Sequence, residues 1–213
     1  MNSHRPILLV GGAPRVQVDV IRHLTVCATG ATAVALADLL RGRGREPNLL
    51  LSRDSVAHPT AERYHDRDSL ENALGSWIAR HPEGCLVLSA AVNDYRVASV
   101  ECREDGESRP LRPGSKIASG ADEVVIRLRQ AGKLIDRLRP DFGLRGPIVG
   151  FKYEDAATVM ASATALRDRV DAVCVVANSL CGTVQALVRA GGPELFAARD
   201  QLLVALAKEI AAQ

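Results

Sequence analysis

The chain has 213 residues, a formal net charge of +2, and 47% hydrophobic and 24% charged residues, ordinary values for one globular unit that needs no metal or disulfide as a staple. Acidic and basic residues are interspersed and aromatic side chains make up only 3%, which argues against a nucleic-acid partner held by a basic stripe or by stacked bases. The polar opening, Met1 to Pro6, lacks the features of a signal peptide, and no apolar run approaches the ~20 residues that cross a bilayer, so a cytoplasmic location and no membrane partner are expected.

Pro6 to Val10 is a short apolar run stopped by Gly11-Gly12, and it reads as a buried strand ending in a turn. From Thr29 to Arg43, the residues Ala33, Leu36, Ala37, Leu39 and Leu40 fall on one helical face, with Gly44 where a C-terminal cap belongs. Asn48 to Ser52 is a second strand. Ser69 to Arg80 is a helix with Leu70, Leu74, Trp77 and Ile78 inward, and Cys85 to Leu88 is a third strand. Continuous apolar strands alternating with helices predict an α/β fold, a Rossmann-like doubly wound and mostly parallel sheet covered on both faces.

The pattern breaks at Arg96 to Ala121, which is rich in charge, carries Pro110, Pro113 and Gly114, and is too long for an ordinary connection. Glu123 to Arg129 alternates in its second half like an antiparallel strand. The stretch of about 96–129 is therefore read as a protruding antiparallel flap or arm on a single domain, 1–213. Regular elements resume with a helix near Lys133 to Leu138, a strand at Ile148 to Lys152, a helix at Ala156 to Val170 and a strand at Ala172 to Ala177. Thr183 to Arg189 reads as an edge strand, and Pro193 to Ala212 as a terminal helix with proline near its first turn.

Strand ends of an open α/β sheet are where ligands bind, which singles out four segments. Gly11-Gly12 follows the first strand, although a glycine pair can equally be only a tight turn. Thr29-Gly30 opens the first long helix, whose amides could hold an anion; a plain threonine N-cap is the simpler reading. Ala90-Ala91 lets backbone or ligand approach closely, and Asp94 follows at even odds between a ligand carboxylate and a turn residue. Gly150 to Glu154 puts Lys152 and Glu154 at another strand end, and Asn178 ends the next. Lys116 in the charged arm reads, on its own, as a solvated lysine. Cys27, Cys85, Cys102, Cys174 and Cys181 are odd in number and form no Cys-x-x-Cys pair, so reduced, mostly buried thiols are expected. His4, His23, His58, His65 and His81 have no metal-ligand spacing, and no metal site is assigned.

In this order the pieces resemble the phosphopantothenate–cysteine ligase family, also called phosphopantothenoylcysteine synthetase, over Leu8 to about Cys181. Ala90-Ala91-Val92-Asn93-Asp94-Tyr95 is similar to the family's Ala-Ala-Val-x-Asp-Tyr/Phe. Lys116-Ile117 is like the start of its Lys-Ile-Lys. Gly132-Lys133-Leu134 and Gly150-Phe151-Lys152-Tyr153-Glu154 resemble its eukaryotic, ATP-using branch, and Val175-Val176-Ala177-Asn178 its final strand. Val10 to Val16 resembles Ser-Gly-Gly-Thr-Lys-Val, and Arg22 to Gly30 resembles Arg-Phe-Leu-Asp-Asn-x-Ser-Ser-Gly.

The resemblance implies that a carboxylate, that of 4′-phosphopantothenate, is activated by ATP or CTP with magnesium as an acyl-nucleotide. The amine of cysteine then forms the amide, a step towards coenzyme A. It implies catalytic roles for Lys116 and Arg22. Nucleotide binding falls to Gly11, Gly12, Gly30, Ala90, Ala91, Asp94, Lys133, Phe151, Lys152 and Asn178, and the arm pairs two subunits in a homodimer. Val26 stands where the family has an asparagine that holds the acyl group, Ala28 and Thr29 replace the serine pair, and Ala118 and Ser119 replace the basic residues after Lys-Ile. Weak or absent activity on phosphopantothenate with nucleotide binding retained is the expectation. The alternatives are a nucleotide-binding paralogue, non-catalytic or acting on another carboxylate, and a scaffold dimer.

Overall fold

β1 (Ile7–Gly11) is buried at all five positions because it is paired in parallel on both edges, with β4 (Asn48–Ser52) on one side and β6 (Cys85–Leu88) on the other. It is an inner strand of an eight-stranded sheet in the computed structural model, which describes residues 4–213; residues 1–3 of the polar opening lie outside it. After β1 come a small hairpin, β2 (Val16–Gln17) and β3 (His23–Leu24), and then the helix α1 (Ala31–Arg41). α1 leads to β4, and β5 (Glu62–Tyr64) adds to that edge in parallel. α2 (Arg67–Arg80) then carries the chain back across to β6.

The arm is a separate antiparallel sheet, in which β7 (Tyr95–Glu104) lies between β8 (Glu107–Pro110) and β9 (Glu123–Gln130). The one-turn helix α3 (Leu134–Arg137) returns to β10 (Ile148–Glu154), which pairs with β6 and with β11 (Cys174–Ser179), reached through α4 (Val159–Val170). β12 (Gln185–Arg189) and β13 (Gly192–Leu195) close that side in antiparallel fashion, and α5 (Arg199–Ala211) ends the chain. The strand order β5-β4-β1-β6-β10-β11 reverses direction between β1 and β6, the switch point at which doubly wound sheets open a crevice.

Two apolar layers follow from the alternation of side chains along each strand. Ile7, Leu9 and Val87 pack with Leu36 and Leu40 of α1 and Leu202 and Leu206 of α5. Leu8, Val10 and Leu86 pack on the other face with Leu70, Leu74 and Trp77 of α2, Leu134 of α3 and Leu166 of α4. No helix among the described residues is long and apolar enough to cross a membrane.

Several expectations need correction. Pro193 does not open the last helix but lies in β13, at the sheet edge, where a missing N–H costs no ladder bond. β12 is consequently not the edge strand, and α5 begins only at Arg199. The Ala156 end of α4 is instead a turn, in which the Asp155 carbonyl accepts from Thr158 and Val159, and the helix starts at Val159. β5 and β7 are strands that periodicity does not reveal. Of the cysteines only Cys85 and Cys174 are buried; Cys27 and Cys181 are exposed because they fall in loops at the strand ends.

Gly11 is where α1 meets the sheet. A Cβ there would stand 2.7 Å from Ala33 Cβ and 3.2 Å from Gly30 Cα, so the helix can approach β1 only because residue 11 has no side chain. Gly11→Ala is expected to destabilise the protein by about 1–3 kcal/mol through overpacking. A lower urea midpoint at unchanged slope would report it, and an unaltered midpoint would contradict this packing.

Candidate functional site

The carboxyl ends of β6 and β10 frame a cleft of about 340 Å³, within the size range of small-molecule sites. Ala90 and Ala91 form one wall, beyond the end of β6, and Phe151 to Glu154 of β10 form the other. Lys133, Leu134 and Ile135 of the α3 region, and Leu166 and Arg169 of α4, close one side, and Val26 enters from the loop between β3 and α1. Gly150 allows this closure: a Cβ there would meet Leu166 Cδ2 at 3.2 Å and Ile135 Cδ1 at 3.4 Å. The Ala91 amide donates to the Gly12 carbonyl at 2.9 Å, so the alanine wall stays tied to the end of β1.

Each cation at this cleft carries a carboxylate partner. Lys152 Nζ donates to Glu154 Oε1 at 2.8 Å, Lys133 Nζ lies 3.7 Å from Asp94 Oδ2, and Arg169 Nε donates to Asp136 Oδ1 at 2.9 Å. The bond from Lys152, with help from Ser162, holds the Glu154 carboxyl below its usual range. An incoming polyanion can replace these carboxylates, because the lysines end in rotatable ammonium donors on flexible stems.

Gly11, Gly12 and Gly30 form a buried node beside the cleft rather than its lining. Gly12 has φ of 87° and Gly30 of 76°, the left-handed region that favours glycine. A Cβ on Gly12 would meet the hydroxyls of Ser52 and Ser55, which bond each other at 2.7 Å. Gly30, not Thr29, is the N-cap of α1, and no side chain caps that helix. The Thr29 hydroxyl only reaches the Ala31 amide, at 3.4 Å. Asn178 is buried on the opposite face of the sheet from Lys152, in line with Val176 of the α1 and α5 layer, and its Oδ1 has no hydrogen-bond partner among the described residues.

Arg22 and Lys116 meet at the junction of the β2–β3 hairpin with the arm. Arg22 donates to Asp19 and, at 3.5 Å, to the Ile117 carbonyl, while Lys116 is exposed and makes no ion pair among the described residues. Burial opposes the charge on Asp19. The amides of Ile117, Ile21 and Arg22 and the Arg22 guanidinium outweigh it and hold the carboxyl well below the usual range. The structure thus brings Ala90, Ala91, Asp94, Lys133, Phe151, Lys152 and Val26 together, and leaves Arg22 and Lys116 at a second locus. Sequence reasoning missed Arg169, which lies three positions after the inward Leu166 on α4, and Asp19, whose signal is its spacing of three from Arg22.

A depressed carboxyl such as Glu154 contributes stability above the unfolded carboxylate pKa, and that contribution is lost as the pH falls through its folded value. Lys152→Gln is expected to return Glu154 towards the ordinary carboxylate value and so to shrink the stability lost on acidification. A carbon NMR titration of the Glu154 carboxyl reads it, and an unmoved midpoint would rule out Lys152 as the cause.

Residues 2–201 match the family described as DNA/pantothenate metabolism flavoprotein C-terminal domain. The Coenzyme A biosynthesis bifunctional protein CoaBC of Thermococcus kodakarensis is 30% identical over 183 residues, covering 82% of this chain and 41% of that protein. The chain therefore spans well under half of that curated relative. Among solved structures, the DNA/pantothenate metabolism flavoprotein from Streptococcus pneumoniae superposes with a TM-score of 0.81 at 18% identity, over 98% of this chain and 99% of that one. A histidine-to-alanine variant of Cab2 in complex with phosphopantothenate-cysteine gives 0.77 at 14% identity, over 98% and 85% of the two chains. With nearly its whole length matched and the same fold, the chain belongs to the DNA/pantothenate metabolism flavoprotein C-terminal domain family.

Proposed function

We propose that this chain is a phosphopantothenate–cysteine ligase that activates its acid with a nucleoside triphosphate. The observation that carries the reading is the cleft at the ends of β6 and β10, in which the close-approach alanines Ala90 and Ala91 face Lys133 and Lys152. The carboxylate of 4′-phosphopantothenate attacks the α-phosphorus, pyrophosphate leaves, and the amine of cysteine then displaces the nucleotide to form the amide. Lys133 and Lys152 take the phosphates as Asp94 and Glu154 release them. Phe151 and the alanine wall receive the nucleoside. Gly11, Gly12 and Gly30 shape the adjoining backbone, and Asn178 keeps an unused acceptor on the far face. Arg22 holds an anionic end of the substrate, and Lys116 neutralises charge that develops on the nucleotide.

ATP is favoured over CTP because Gly150 to Glu154 resembles the ATP-using branch. No group of three or more His, Cys, Asp or Glu that could hold a metal occurs among the described residues, so magnesium would arrive with the phosphates, with Asp94 and Glu154 as the nearest carboxylates. Calorimetry with magnesium and each triphosphate distinguishes the two nucleotides, and no heat with either at millimolar concentration would sink the nucleotide site.

The partner of the arm is a second copy of the chain. A groove of about 670 Å³ between the arm and the β2–β3 hairpin is lined by Ile21, Leu24, Val124 and Ile126, and Ile21 is 61% exposed, so a second arm seated there would cover these apolar side chains. Light scattering is expected to give twice the chain mass at micromolar concentration, and a monomer there would end the dimer reading.

A second reading, a nucleotide-binding paralogue with weak or no ligase activity, is favoured by Val26. Its apolar side chain lines the cleft and cannot donate to an acyl oxygen. Losing one such bond to a developing charge costs ~3 kcal/mol, or about a hundredfold in rate. Pyrophosphate release with phosphopantothenate and cysteine is expected to be slow in the wild type and to rise by up to about a hundredfold in Val26→Asn with Ala28→Ser. A fast wild type would remove the weight placed on this loop, and no gain in the double variant would favour the paralogue.

A further inference from the structure

Asp19 lies outside the sheet, in the turn between β2 and β3, with its carboxylate wholly out of solvent. Its two oxygens serve different parts of the chain. Oδ1 accepts the amides of Ile21 at 2.9 Å and Arg22 at 2.7 Å, which folds the turn itself. Oδ2 accepts the amide of Ile117 at 2.9 Å, from a segment 98 positions away, together with the Arg22 guanidinium. Two weaker contacts run alongside: Val20 N to the Ser115 carbonyl and Arg22 Nη1 to the Ile117 carbonyl, both at 3.5 Å. Ile117 is itself buried, while its neighbour Lys116 is exposed.

A carboxylate that only folded its own turn would use one oxygen, as turn aspartates do, and leave the other to water. Here the second oxygen is dry and fully engaged. A charged acceptor gives stronger bonds than a neutral one, and removing it would leave the Ile117 N–H buried without a partner. From the hairpin the chain continues through Leu24 to Val26, which lines the cleft, so whatever fixes this turn fixes the approach to the site.

We infer that Asp19 is the positioning residue that couples the turn bearing Arg22 to the flap bearing Lys116, holding the two cations in one fixed arrangement at the junction of hairpin and arm. The coupling follows from the hydrogen bonds alone; its consequence for catalysis rests on the ligase reading. Asp19 touches no reacting atom and acts through Arg22 and the flap.

Amide exchange followed by NMR on the full chain tests this with two variants. Asp19→Ala removes every acceptor. Asp19→Asn is nearly isosteric and keeps an oxygen for the two turn amides, while it turns an N–H donor towards the Ile117 N–H and the Arg22 guanidinium. In both, the Ile117 amide is expected to exchange roughly tenfold to a hundredfold faster, with the core amides of β1 and β6 unchanged as the check on folding. If Asp19→Ala does not fold, Asp19→Asn decides, with Ile21 and Arg22 as its protected internal controls. Retained protection of Ile117 overturns the coupling.

Pyrophosphate release supplies the readout that a merely structural carboxylate would not move. In Asp19→Asn, kcat is expected to fall about tenfold or more while KM for the nucleotide stays within about twofold. An unchanged kcat in an active protein overturns the positioning role. If the wild type releases no pyrophosphate, the ligase reading fails separately, and the exchange comparison still decides the coupling.

Discussion

The contact between the end of β1 and the start of α1 is the constraint from which the rest of this molecule is arranged. Gly11 lets the helix seat against the strand, and its carbonyl accepts the hydroxyl of the wholly buried Tyr64 at 2.9 Å. Burial pushes that phenol up, so it remains a donor at any ordinary pH. One glycine therefore ties together β1, α1 and β5, the strand beyond β4. Ser52 extends the node by accepting the Ala13 amide at 3.2 Å. With this end of the sheet fixed, the segments that leave β1, β6 and β10 diverge at known places, and the crevice opens where the strand order reverses.

Around that crevice the electrostatics are reversible rather than committed. Lys152 with Glu154 and Lys133 with Asp94 are partly exposed pairs, and pairs of that kind contribute little to stability. They keep cations in place without a heavy desolvation penalty, so a phosphate can take over from a carboxylate at small net cost. The carboxylate of Asp19 is the opposite case. It is dry, it has four donors, and it ties two segments that both lie away from the sheet. The molecule thus combines a loosely paired cleft with a tightly pinned junction between hairpin and arm.

The arm explains why so long a departure from the α/β pattern is tolerated. β7 pairs with β9 from Tyr95–Gln130 up to Arg103–Glu123, interrupted by a bulge between Val97 and Ser99, and bulges bend and twist the strand that carries them. The Ala131 amide donates to the Asp94 carbonyl at 2.7 Å, which clamps the root of the arm next to Lys133. The two ends of the arm therefore leave and rejoin the core at the cleft, and a change in the arm has a direct mechanical route to the site.

The sequence by itself determined the inner strands of the central sheet, but not β5 and β13 at its two edges. Strands buried on both faces read as continuous apolar runs, so strands over Pro6 to Val10, Asn48 to Ser52, Cys85 to Leu88 and Ile148 to Lys152 are visible without coordinates, as are the inward faces of α1 and α2. Resemblance to a known family added the motif residues of the cleft. Only the tertiary structure decided the rest. β7 and β8 are largely solvated, so no burial period marks them, and Pro193 looks the same in sequence whether it opens a helix or lies on an edge strand. The partnership of Asp19 with Ile117, and of Lys133 with Asp94, depends on where crossovers bring distant segments together. Local composition encodes burial and period, whereas convergence of side chains is set by topology, and no single window of sequence contains it.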